Sequence, residues 1–193
     1  MKKLSERITV YVIRNGVVPE ESYAIYQYGF QAGIEMLSCF LVSLGIAVYL
    51  HMILEFFVIT GIFILLRTYA GGVHLNSFVG CLLCSVMVQT LVLVVHDMYV
   101  FPISISSIIL LINGIAIWSM SPVECINREL DVEEKKHCKR VVMRFIFGIW
   151  LFASVITVVG MEEIVSLMAV TKMTIFVSQC IGSIKYRIEK KIK

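Results

Sequence analysis

The sequence predicts an all-α fold: a polytopic membrane helical bundle of about six spans, preceded by amphipathic helices lying at the membrane interface. Three observations carry this. The 193 residues are 59% hydrophobic and only 16% charged, with a mean hydropathy of +0.87. A soluble domain of this size could not hide so much apolar surface. The apolar residues fall in long runs of helical length, and Lys and Arg cluster between alternate runs. A single membrane-embedded domain over residues 1–193 is therefore expected, with a lipid bilayer as its environment and no nucleic acid as a partner.

Residues 1–31 mix Lys2, Lys3, Arg7 and Arg14 with Ile8, Val10, Tyr11, Ile13, Tyr23, Tyr26, Tyr28 and Phe30. That mixture suits one or two short interfacial helices, interrupted near Gly16 and Pro19, that lie on the membrane instead of crossing it. The first seven residues are equally compatible with a solvated leader. The segment lacks the compact apolar run and small-residue cleavage site of a secretory signal.

Six apolar runs follow, at about 32–50, 53–66, 77–95, 103–120, 145–160 and 164–184. A perpendicular span needs about 20 residues, so the second and fifth runs look short. Six full spans are the preferred count, and four with two short re-entrant segments satisfy the same rule. Between the runs, the turn at His51, the stretch His96–Pro102 and Glu162-Glu163 carry no Lys or Arg. The N-terminal segment, the basic loop 121–144 and the tail from Lys185 are rich in both. Six crossings place every basic segment, both termini and Arg67 on the cytoplasmic side of the membrane.

Against this apolar background, the stretch Arg67–Cys84 holds a cation, a glycine pair, an imidazole and two thiols. Gly71-Gly72 is expected to break the preceding helix. Asn76 or Ser77 can cap a new helix starting near Phe78, which puts His74 in a bend and Cys81 about one turn inside the helix. A thiol there, with an imidazole in reach, has the surroundings of a nucleophile. His74 would have to fold back over the helix start, because residues seven apart on one continuous helix are about 10 Å apart. Burial opposes the thiolate, while the helix N-terminus and the imidazole favour it. His74 would take and return the proton. Free amides of the new helix, with Arg67 nearby, would stabilise an oxyanion, and Ser77 or Glu124 would orient the imidazole.

Other readings weigh against these. A thiol in an apolar helix is commonly a small packing residue. Cys84 is deeper and farther from His74, and Ser77 has no better-placed base. The six cysteines, 39, 81, 84, 125, 138 and 180, are scattered and make no disulfide framework. Cys81-x-x-Cys84 has no second pair to complete a metal site, so neither metal nor cofactor is expected. Glu35, Glu55 and Lys172 fall within apolar runs, where they line a polar pocket near the thiol, sit at the interface, or pair structurally. Gln89 suits an interhelical hydrogen bond.

The pattern Arg67-x-Tyr69-Ala70-Gly71-Gly72-x-His74, then six residues and Cys81, resembles the accessory gene regulator B (AgrB) family of bacterial membrane cysteine endopeptidases. Ser121-Pro122-Val123-Glu124 and the Glu133–Lys136 run resemble that family's Pro/Glu/Lys loop. Val73 and Leu75 depart from the commoner residues at their positions, which bears on substrate fit.

The resemblance implies that Cys81 and His74 are the catalytic pair, with Arg67 and Gly72 at matching positions; Arg67, Gly71, Gly72, Ser77 and Glu124 are together expected to bind substrate or oxyanion or to support the site structurally. It further implies a signalling propeptide with an amphipathic leader and an acidic tail as substrate. An acyl-enzyme thioester would be resolved by cyclisation to a thiolactone or lactone, and the enzyme would work as a homodimer. A transporter or peptide exporter without proteolytic activity is the main alternative, and a receptor or scaffold a third. No internal repeat of the carrier type is visible.

Overall fold

The computed structural model describes residues 2–16, 19, 22–73, 78–123 and 131–192. Seven helices follow one another: α1 (Lys2–Arg14), α2 (Tyr23–Tyr49), α3 (Ile53–Ala70), α4 (Phe78–Met98), α5 (Ile103–Met120), α6 (Val132–Val159) and α7 (Glu162–Ile192). Helices α2 to α7 are long and apolar enough to cross a bilayer. There is no strand among the described residues. The fold is a polytopic helical membrane bundle.

α7 is its axis. Over its most apolar window 56% of α7 is buried, against at most 33% for any other span, and it packs on α3, α4, α5 and α6. Val165, Met168, Lys172, Ile175 and Gln179 are all buried, and Gly182 continues the same face. Their spacing alternates three and four, the seam along which helices meet at a shallow angle. The seam carries two polar residues and one glycine. In lipid, apolar burial no longer drives helix association, so close approach and hydrogen bonds take its place.

α5 meets this seam with Ser106, Leu110, Asn113, Gly114 and Ile117. The Lys172 ammonium, fully buried, donates to the Leu110 carbonyl oxygen at 2.7 Å. Gly114 makes room for it: a Cβ there would lie 2.9 Å from Lys172 Nζ. No described carboxylate pairs with this cation. α3 buries Phe56, Ile59, Leu66 and Ala70 completely. Facing away from the core, Leu37, Leu41, Phe147, Leu151 and Val158 form part of a broad apolar exterior, which only lipid can solvate.

Four boundaries differ from the sequence expectation. The second run is a full 18-residue helix, because Arg67 to Ala70 continue it up to the glycines. α2 begins at Tyr23, so residues 23–31 extend a span that was expected to start at about 32. The 28-residue α6 contains the fifth run. The basic loop expected over 121–144 is helical from Val132 onward: Asp131 and Glu134 form a capping box, with the Asp131 amide donating to Glu134 Oε2 at 3.2 Å. Glu, Lys and Arg are good helix formers, so a charge run ruled out a buried segment but not a helix.

Candidate functional site

α3 ends because Gly71 turns left-handed, with φ of 79°. Its amide still donates to the Arg67 carbonyl at 3.2 Å. The last carbonyls of a helix lack internal partners. Here the Ala70 oxygen accepts from two donors, the Val123 amide at 3.0 Å and Gln179 Nε2 at 2.9 Å. That amide nitrogen also reaches Ser121 Oγ at 3.2 Å, while Ser121 Oγ donates to the Ile117 carbonyl at 2.6 Å. The end of α3 is thus tied to the end of α5 and to α7.

Beyond Ala70, the backbone passes between two neighbours with no room for side chains. A Cβ on Gly71 would run into the backbone of Val123, and one on Gly72 into the Arg67 guanidinium and Ser178 Oγ. On the opposite side, a Cβ on Gly182 would lie 2.7 Å from the Gly72 carbonyl carbon and 3.0 Å from the Val73 nitrogen. Arg67 spans this bend from within. One terminal nitrogen donates to Ser178 Oγ at 2.9 Å, and the other to the Val73 carbonyl oxygen. The guanidinium is occupied in holding the chain.

Cys81 is the fourth residue of α4 and is half-buried; Cys84, one turn on, is exposed. The Arg67 guanidinium is within electrostatic reach of both sulfurs. From α2, the half-buried Cys39 lies within electrostatic reach of Cys81. Arg67, Gly71, Gly72 and Cys81 are therefore gathered at the junction of α3, α4 and α7. His74, Ser77 and Glu124 lie outside the described residues. Among the described residues no group of His, Cys, Asp and Glu is placed to hold a metal ion.

Of the residues that the sequence singled out within the membrane, Glu35 accepts from Gln31 at 3.1 Å. Lys172 packs on α5 as described, and Gln89 Oε1 is buried without a partner. Ser178, Gln179 and Gly182 were missed. They lie more than a hundred positions from Arg67, and each is ordinary by itself. The available signal was the three–four spacing that puts Gln179 and Gly182 in line with Lys172 on an otherwise apolar helix.

Fold and site together define a multi-pass membrane protein whose one polar, glycine-bent junction sits at an end of the bundle. The accessory gene regulator B family matches residues 5–184, nearly the whole chain, and the chain belongs to that family. It is a membrane protein of a family linked to quorum-sensing peptide processing, consistent with the plasma membrane. No curated protein and no solved structure matches it.

Proposed function

We propose that this chain is a membrane cysteine endopeptidase that cuts the C-terminal part from a signalling propeptide and passes the remainder on to cyclisation. The observation that carries the reading is the placement of Cys81. It is a half-buried thiol in the first turn of α4, within electrostatic reach of the Arg67 cation. A helix start beside a cation is the kind of surroundings in which nucleophilic thiols are found.

In the proposed reaction His74 accepts the Cys81 proton, and the sulfur attacks the scissile carbonyl carbon. The first amides of α4, which have no partner within their own helix, are suited to receive the oxyanion. The C–N bond breaks, the tail leaves as an amine carrying the proton from His74, and a thioester remains on Cys81. A thiol or hydroxyl of the same peptide then attacks that thioester and gives its proton to His74. Ring closure releases the sulfur. A site with restricted access to water favours this step, since a tethered nucleophile acts at a high effective concentration.

Five features meet at the same end of the bundle: the end of α3, the starts of α4 and α6, the end of α5 and the C-terminal half of α7. That end carries Lys135, Lys136, Lys139, Arg140 and Arg144 of α6 and Lys185, Arg187 and Lys190 of α7. The positive-inside rule makes it cytoplasmic, where an acidic peptide tail would be attracted. Ser77 and Glu124 are proposed to orient the imidazole, and two copies to work as a homodimer.

The test is co-expression with a propeptide and detection of the released tail. Cys81→Ala and His74→Ala should each lower cleavage at least about 10³-fold, as loss of a nucleophile or its base does in other peptidases. Cys84→Ala should leave most of it. Cleavage that survives in Cys81→Ala would end the peptidase reading.

A further inference from the structure

We infer that the C-terminal half of α7 sets the reactivity of the thiol, with Ser178, Gln179 and Gly182 as positioning residues for the bend that carries the site. The inference rests on the peptidase reading and adds to it a group of residues on a helix remote in sequence from the Arg67–Cys81 stretch.

Three contacts fall within about one turn of α7, from Ser178 to Gly182. Ser178 Oγ takes one side of the Arg67 fork at 2.9 Å, and the other side holds Val73. Gln179 Nε2 fixes the last carbonyl of α3 at 2.9 Å. At Gly182 the α7 backbone lies so close to Gly72 and Val73 that no side chain fits between them. Each contact acts on a different atom of the Arg67–Val73 segment. Together they fix where Arg67 puts its charge relative to Cys81 and the angle at which the chain leaves Val73 for His74.

The composition of this face argues for a role beyond adhesion. Gln179 is fully buried, yet its Oε1 has no hydrogen-bond partner among the described residues. A buried amide with one unmade bond is a poor choice for stability alone, because an apolar residue of the same length avoids the unmade bond altogether. What the amide supplies that an apolar residue does not is a donor aimed at both Ala70 and Ser121. Glycine at 182 likewise weakens the helix and admits the bend.

The experiment uses the full chain in membranes. Alkylation of Cys81 by iodoacetamide is followed against pH by mass spectrometry, beside propeptide cleavage, in Gln179→Met, Ser178→Ala and Gly182→Ala. Ile181→Ala and Ile184→Ala, on the exposed side of α7, are the controls. The expected result is a Cys81 rate near neutral pH at least fivefold lower in Gln179→Met and Gly182→Ala. Its pH profile should move to higher pH, and cleavage should fall at least tenfold in protein that stays monodisperse in detergent. Controls should match the parent.

An unchanged pH profile in all three variants overturns the inference, as does a loss of activity that only follows a loss of folded protein. If Gly182→Ala fails to fold, Gln179→Met and Ser178→Ala decide. The alkylation profile is read without substrate. It therefore tests α7 even if Cys81→Ala proves still able to cleave, in which case the peptidase reading fails separately.

Discussion

Gly71 shows how much of the site depends on a missing side chain. Its φ of 79° with ψ of −166° lies in a region open essentially only to glycine, which costs other residues about 1–3 kcal/mol. A Cβ would also strike the backbone of Val123, which unlike a side chain has no alternative rotamer. Gly71→Ala should therefore lower both thermal stability and cleavage, the latter at least about tenfold. Gly61→Ala is the comparison: it lies inside α3 with open space around it, and alanine there should stabilise the helix by up to about 1 kcal/mol. Differential scanning fluorimetry in detergent distinguishes the two. Equal midpoints would mean that the bend yields more easily than its contacts imply. At this scale Arg67, Gly71, Gly72 and Cys81 were legible because each is an exception to an apolar background. Ser178 and Gln179 were not, since small and amide residues are ordinary where membrane helices pack.

Among the elements, α7 departs furthest from a plain apolar rod, and Lys172 is its most unusual residue. The ammonium is wholly buried, and its one partner among the described residues is a carbonyl at 2.7 Å that already belongs to the α5 helix. Burying a cation without a counter-charge is unfavourable. Lys172→Met, close in length and free of charge, should leave the melting midpoint unchanged or raise it by a few degrees. Lys172→Glu should destabilise strongly by putting an acid against the same carbonyl. A clear drop for Lys172→Met would mean that the α5–α7 contact depends on the ammonium itself.

The element boundaries were only partly readable. Ile103–Met120 was placed to the residue because Pro102 and Ser121 flank an uninterrupted apolar run. The start of α6 was not, because a hydropathy reading stops at the first lysines. Its helix instead begins at a cap, Asp131 with Glu134, in a segment whose residues all tolerate helix.

At the scale of the whole molecule, helix length and charge act together. At about 1.5 Å per residue, α6 and α7 are about 42 and 46 Å long, beyond the roughly 30 Å hydrocarbon layer. Their apolar parts adjoin the Gly160 turn, so the surplus emerges at the cationic end. If that end captures an acidic substrate, the attraction is long-range and screened by salt. Raising ionic strength from 0.1 M to 1 M shortens the screening length from about 10 Å to about 3 Å. KM for the propeptide should then rise severalfold with kcat nearly constant, whereas a salt-independent KM would assign these cations to orientation alone. The six spans and their charge bias were legible as a whole, because composition alone requires lipid. The order of burial among the spans was not. No property of the α7 sequence taken singly distinguishes the axis from the periphery; that depends on which helices surround it.

The crossing of α7 over Gly72 has one more consequence. Two main chains touch there with nothing compressible between them, and on either side of Gly182 stand Ile181 and Ser183. A twist of the rod by one residue, about 100°, would drive a branched chain into a gap that only hydrogen fits. The azimuth of α7 is therefore locked to the shape of the turn beneath it, and the cationic end of α7 is geared to the thiol's surroundings.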